Sequence, residues 1–133
     1  MATNRTQRYG LHLWEPGDNF LREEFNENFI RIDQIPEVVA GAYSGDGAMT
    51  RVIALDFRPK AVLVTDQSGA THSGQAAYGG FAVDSRPCVF ATVTILETVE
   101  GGFRVARGYQ HESSYWADTN RPEKTYYFLA VKA

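Results

Sequence analysis

A single cysteine, Cys88, stands in the 133 residues of this chain. One thiol closes no intrachain disulfide and builds no thiolate-rich metal site. It lies in the apolar run CVFATVTI, where a buried structural thiol is the expected role. Long apolar runs are also missing. No run reaches the roughly 18 residues of a membrane span, so no membrane insertion is expected. The opening MATNRTQRYG is polar and lacks the apolar segment of a secretion signal, which predicts folding in the cytosol. Positive charge is not in excess. The formal net charge is −3, whereas nucleic-acid affinity rests on clustered Lys and Arg, so no nucleic-acid partner is expected.

Histidine is scarce too. His12, His72 and His111 are the only three. They form no HxxxH or HxH metal pair, and no serine sits in a GxSxG nucleophile context. Glu23 and Glu24 fall at a helix start, where acidic charge is ordinary, and Asp46 belongs to the turn SGDG. The glycines of GDG and GG are turn glycines, because no Gly-rich loop leads from a strand into a helix. No catalytic residue, no metal site and no cofactor is expected, and the chain reads as a non-enzyme.

What is present is apolar and aromatic material for a core: 44% hydrophobic and 13% aromatic residues, enough to fold without staples. Near the start, Pro16 and Gly17 mark a turn. Asp18 or Asn19 then caps a helix that runs to about Ile35, where Pro36 ends it. Phe25, Phe29 and Ile32 share one face. Leu21, Phe25, Asn28, Ile32 and Ile35 step as a heptad seam with Asn28 as its polar member. A helix of about 17 residues is marginal alone in water, so this stripe needs a surface. Either it folds back on its own β-domain, or it packs with other subunits or another protein. A polar seam residue that fixes oligomer state favours the second. Residues 1–37 are therefore read as an attachment and oligomerisation segment, and 38–133 as the head.

From about residue 38 the period changes to two. VVAGAY, RVIALDF, KAVLVTD, YGGFAV, CVFATVTILET, GFRVARG and TYYFLAVK are rich in Val, Ile, Phe, Tyr and Thr, and SGDG, RP, SG, SRP, EGG and NRPE separate them. Short strands with tight turns predict a mainly β fold, an antiparallel β-sandwich preceded by one short α-helix. In the last strand Tyr127, Leu129 and Val131 share one face, and Tyr126, Phe128 and Ala130 the other. Both faces are apolar, so one covers the core and the other meets a second sheet or another subunit. The segment 108–123 is too long for a turn. Its Tyr109, His111, Tyr115, Trp116, Asp118 and Asn120 suit receptor or glycan contact, by ring stacking and oriented hydrogen bonds. In the competing reading Tyr115 and Trp116 fold under to cap the sheet edge.

The stretch RYGLHLWEPGDNFLREEFNENFIRID resembles the N-terminal motif of small tail and tail-fibre proteins of phages and prophages. The likeness is carried by Tyr9-Gly10-Leu11, Trp14, Asp18, Leu21-Arg22, Phe25-Asn26, Asn28-Phe29 and Ile32-Asp33. GAYSGDGAMTRVIALDFRPKAVLV is similar to a strand–turn–strand signature of such proteins, through Phe57, Pro59, Lys60, Ala61, Val62, Leu63 and Val64. YGGFAV, GGFRV and the closing YYFLAVK continue it, and residues 108–123 match least. The resemblance implies a homotrimer and a virion part assembled in the bacterial host cytoplasm. It implies an N-terminus bound to other tail or baseplate proteins, and an outward C-terminal domain that meets a host cell-surface glycan or protein. A lectin-like carbohydrate-binding module is the alternative expectation, and a polysaccharide hydrolase a weaker third. A hydrolase needs two carboxylates roughly 5 to 10 Å apart in a cleft, and the sequence offers no obvious pair.

Overall fold

Turn chemistry and side-chain alternation set the architecture of the computed structural model. The structure describes residues 1–110 and 115–132, with the backbone alone at Tyr109 and Gln110. The chain divides into two compact units, Met1–Pro36 and Glu37–Ala133.

In the first unit β1 (Asn4–Arg5) pairs antiparallel with β2 (His12–Leu13), and α1 spans Arg22–Asp33. The helix is shorter at both ends than its sequence predicts, and neither Asp18 nor Asn19 caps it. The Asp18 carboxylate is spent elsewhere. It accepts from the Thr3 N–H at 2.9 Å, the Thr3 hydroxyl at 2.6 Å and the Glu15 N–H at 2.7 Å. These bonds, the Thr3 hydroxyl foremost, hold the Asp18 carboxyl below the usual range. Leu21 takes the N-cap position in an extended conformation with no side-chain cap bond. Glu23 and Glu24 lie at the positive end of the helix, as dipole electrostatics favours. Glu24 is buried and accepts the Ala2 N–H at 2.7 Å. Gln34 is the C-cap, so Ile35 falls outside the helix.

The second unit carries β3 (Glu37–Ser44), β4 (Thr50–Ala54), β5 (Ala61–Asp66), β6 (His72–Ser73), β7 (Ala76–Ala77), β8 (Gly80–Val83), β9 (Cys88–Phe90), β10 (Val93–Val99), β11 (Gly102–Gln110), β12 (Tyr115–Asp118) and β13 (Thr125–Lys132). One sheet is four-stranded and antiparallel, ordered β3-β13-β5-β8. The other is seven-stranded, ordered β6-β7-β12-β11-β10-β9 with β4 also paired to β11. The fold is mainly β with one short helix. A wholly antiparallel arrangement does not hold, because β7 runs parallel to β12, with Ala76 opposite Trp116. Two alanines carry no β pattern, so the sequence hid this strand.

Two further expectations are corrected. CVFATVTILET is not one strand. It breaks at Ala91 and Thr92, both left-handed with φ of 49° and 74°, and Phe90 pairs with Val93 across them. That is the geometry of a two-residue hairpin of type I′. Residues 108–123 are not one long loop either. Arg107–Gln110 pair with Tyr115–Asp118 in the ladder of β11 and β12.

One hydrophobic cluster draws on both sheets. Tyr43, Val62, Val64, Tyr126 and Phe128 come from the four-stranded sheet, and Ile53, Leu96, Phe103 and Val105 from the other. The Phe103 ring lies 5.1 Å from Phe128, and Tyr43 stacks on Tyr126 at 5.1 Å. Cys88 is half-buried against this cluster. Tyr126, Phe128 and Ala130 face inward, while Tyr127 is 49% and Leu129 44% exposed. Tyr127 and Leu129 sit opposite Ala42 and Ala40 on one side and Thr65 and Leu63 on the other, with Phe81 beyond Leu63.

The turn SGDG closes on the turn NRPE. Gly45 N donates to Lys124 O at 2.8 Å, and Gly47 N to Asn120 O at 2.9 Å. A Cβ at Gly45 would lie 1.9 Å from the Arg121 carbonyl oxygen, so only glycine lets the two backbones meet.

Candidate functional site

The helix presents its apolar residues to solvent. Leu21 is 40%, Phe25 40%, Phe29 56% and Ile32 48% exposed. Their rings continue a ladder that begins before the helix: Trp14 to Phe20 at 4.5 Å, Phe20 to Phe25 at 5.1 Å, Phe25 to Phe29 at 4.7 Å. Phe20 was missed by the seam pattern because it precedes the first turn. The Trp14 indole N–H is buried with no acceptor among the described residues. Ile35, outside the helix, is half-buried. Asn28 is engaged within its own unit. Its Oδ1 accepts the His12 N–H at 2.6 Å and its Nδ2 donates to the His12 carbonyl at 3.1 Å, which fastens β2 to the helix.

The preceding residue, Glu27, meets the buried His12 ring nitrogen at 2.5 Å and Arg31 at 2.8 Å. The His12 bond first, then Arg31, hold the Glu27 carboxyl down at about 2, against 4.5 ordinarily. A depressed carboxyl stabilises the fold above its unfolded pKa and ceases to do so as pH falls through its folded one. The first unit is therefore expected to loosen between pH 4.5 and about 2. The Trp14 indole resonance followed by NMR should report that step, and Glu27→Gln should shrink it to the part that Asp18 contributes. An unchanged acid titration in Glu27→Gln would take the step away from this residue.

The second unit contains a cavity of about 370 Å³ lined by Ala76, Ala77, Tyr78, Arg107, Trp116, Asp118, Arg121, Lys124 and Tyr126. Strand β12 brings Trp116 to it half exposed, at 50%. Asp118 also lines it, but 7% exposed and committed. Its carboxylate accepts from Arg107 Nε at 2.8 Å and from the Asn120 N–H at 2.9 Å. Tyr126 donates its hydroxyl to the Asp118 carbonyl at 3.3 Å and accepts the Arg121 N–H at 3.1 Å. Desolvation raises its pKa above the usual phenol range, so the hydroxyl stays a neutral structural donor.

Of the residues that the sequence singled out in 108–123, Trp116 and Asp118 reach this cavity. Tyr115 is half-buried, edge-on to Phe90 at 5.6 Å. Asn120 is wholly buried. Its Oδ1 accepts the Asp46 N–H at 3.2 Å and Arg51 Nη1 at 3.3 Å. Its Nδ2 donates to the Asp46 carboxylate at 2.7 Å and the Ala48 carbonyl at 3.1 Å. The amide is spent on the fold and cannot serve as a surface contact. The Tyr109 side chain and His111 lie outside the described residues. Sequence reasoning missed Tyr78, Arg107, Arg121 and Lys124. The last two stand in NRPEK, where the turn signal hid their charge. Comparison of the chain with protein-family models, curated proteins and solved structures finds no match.

Proposed function

We propose that the chain is a non-enzymatic structural protein of a phage or prophage tail or tail fibre. It is a homotrimer in the virion. Its first unit attaches it to other tail or baseplate proteins, and its second, a β-sandwich head, contacts the host surface. One observation carries the assembly part: the ring ladder from Trp14 to Phe29 ends in an exposed helix face. A contiguous apolar surface of this kind marks an interaction site. The uncharged outer face around Tyr127, Leu129 and Phe81 adds a second such surface. The resemblance of YGLHLW and FNENFIRID to tail proteins names the setting. The sandwich reading is supported by a hydrophobic cluster to which both sheets contribute.

The histidines agree with a non-catalytic role as far as they are described. His12 is buried with its ring nitrogen on Glu27, and His72 is an exposed neighbour of Thr71. A lectin-like module is the second reading, favoured by the half-exposed Trp116 at the cavity wall. Sedimentation of the purified chain tests the first. Three chain masses at micromolar concentration are expected, and a monomer at high micromolar concentration would remove the assembly reading.

A further inference from the structure

We propose that the cavity beside β12 binds an anionic saccharide, with the sugar ring against Trp116 and its carboxylate or phosphate held by Arg121 and Lys124. The inference deepens the host-contact part of the proposed function and rests on it for the ligand's origin.

Charge carries the argument. The cavity is lined by three cations, Arg107, Arg121 and Lys124, and one carboxylate, Asp118, a balance of +2 in a chain whose net charge is −3. Asp118 is neutralised by Arg107 at 2.8 Å. Among the described residues, no carboxylate lies within 4 Å of Arg121 or Lys124. Asp66 acts on Lys124 through space and offsets part of its charge, but it lies outside the cavity lining and its Oδ1 is taken by Ser68 N, Ser68 Oγ and Ala70 N. A concave wall with a net charge of one sign focuses its field on whatever enters.

Position supports it. Both cations ride on the turn segment NRPEK, which Gly45, Gly47 and Tyr126 pin through its backbone. The Lys124 ammonium lies 5.9 Å from the centre of the Tyr78 ring, a cation–π arrangement that keeps it at the wall. Ala76 and Ala77 line the same space with short side chains, and the volume suits a small ligand. The hydroxyls of a neutral sugar donate as well as accept, so a neutral sugar is held best where acceptor oxygens stand beside the donors. Here the Asn120 amide is buried and the Asp118 carboxylate is engaged, so the unspent polar groups are cationic.

The test titrates the full chain, by ¹⁵N NMR, with glucuronate, glucose 6-phosphate and glucose. Both anions are expected to shift the Trp116 indole and the Arg121 and Lys124 amides, more weakly at high salt, and glucose to shift none. The tighter of the two anions tells whether a carboxylate or a phosphate is the natural group. Losing two charge-assisted bonds should raise Kd at least about tenfold in the Arg121→Gln/Lys124→Gln double variant, with melting unchanged. Should that variant fold poorly, Trp116→Ala gives the same readout from the stacking side. Binding of glucose as tight as glucuronate, parent affinity in the variants, or no response to either anion would overturn the proposal. Sedimentation of the same samples separates the two readings. A monomer that binds both anions sinks the assembly reading alone, and a trimer blind to both sinks the cavity alone.

Discussion

Phe25→Asp is expected to convert the assembled protein to monomers. Phe25 lies between Phe20 and Phe29 in the ring ladder and is 40% exposed in the single chain. In an assembly its ring would lose that exposure. Fully burying a large apolar side chain is worth about 1.5–3 kcal/mol, so covering the part of Phe25 still exposed is worth about 1 kcal/mol, and every subunit of a trimer contributes one. A carboxylate in the same place also costs its desolvation. Two or three such terms exceed what a modest interface holds in reserve. The single chain should tolerate the change far better, because the side chain is already partly wet and has no hydrogen-bonding group to lose. Sedimentation velocity across a concentration series reads the effect directly. The parent should hold its oligomer mass while Phe25→Asp falls to one chain mass, with the far-ultraviolet spectrum preserved. Matching sedimentation of the two proteins would make the helix a bystander.

The strands that could be read from the sequence are those that alternate. β13 shows why: Tyr126, Phe128 and Ala130 go inward and Tyr127 and Leu129 outward, because successive side chains leave opposite faces. What stayed hidden had no periodic signal. The Ala91–Thr92 hairpin uses two left-handed residues where Asn and Gly would announce it. β7 is two alanines, and it is fixed by lying along β12, which is a long-range fact. The helix start was misplaced because Asp18 has the chemistry of a cap but finds Thr3 instead, a partner 15 residues earlier.

The candidate site divides in the same way. An aromatic such as Trp116 is conspicuous in a polar stretch, and it does reach the cavity. The cations of NRPEK gain meaning only when that turn meets SGDG and closes the wall beside β12. Asn120 misled for the opposite reason. An amide in a polar stretch looks available, yet this one supplies the bonds that make the two turns meet.

Asn120→Ala should therefore act on stability. The side chain is fully buried and serves four partners: the Asp46 N–H, Arg51, the Asp46 carboxylate and the Ala48 carbonyl. Leaving a buried donor or acceptor unsatisfied costs about 1–3 kcal/mol. Asp46 is exposed and recovers some water, so the total should be about 2–4 kcal/mol. In a domain of this size that lowers the melting temperature by about 10–20 °C. The Asp46 carboxyl is held below its usual range by the Ala48 N–H first and by Asn120 second. Asn120→Asp would set a second carboxylate where Nδ2 now donates to Asp46 at 2.7 Å. It should be the more damaging change at neutral pH, and mild acid should relieve it as one of the two carboxylates takes a proton. Thermal melts of both variants at neutral and mildly acidic pH check the pair of claims. Parent-like melting of Asn120→Ala, with binding to host cells lost, would place the amide at a ligand and not in the fold.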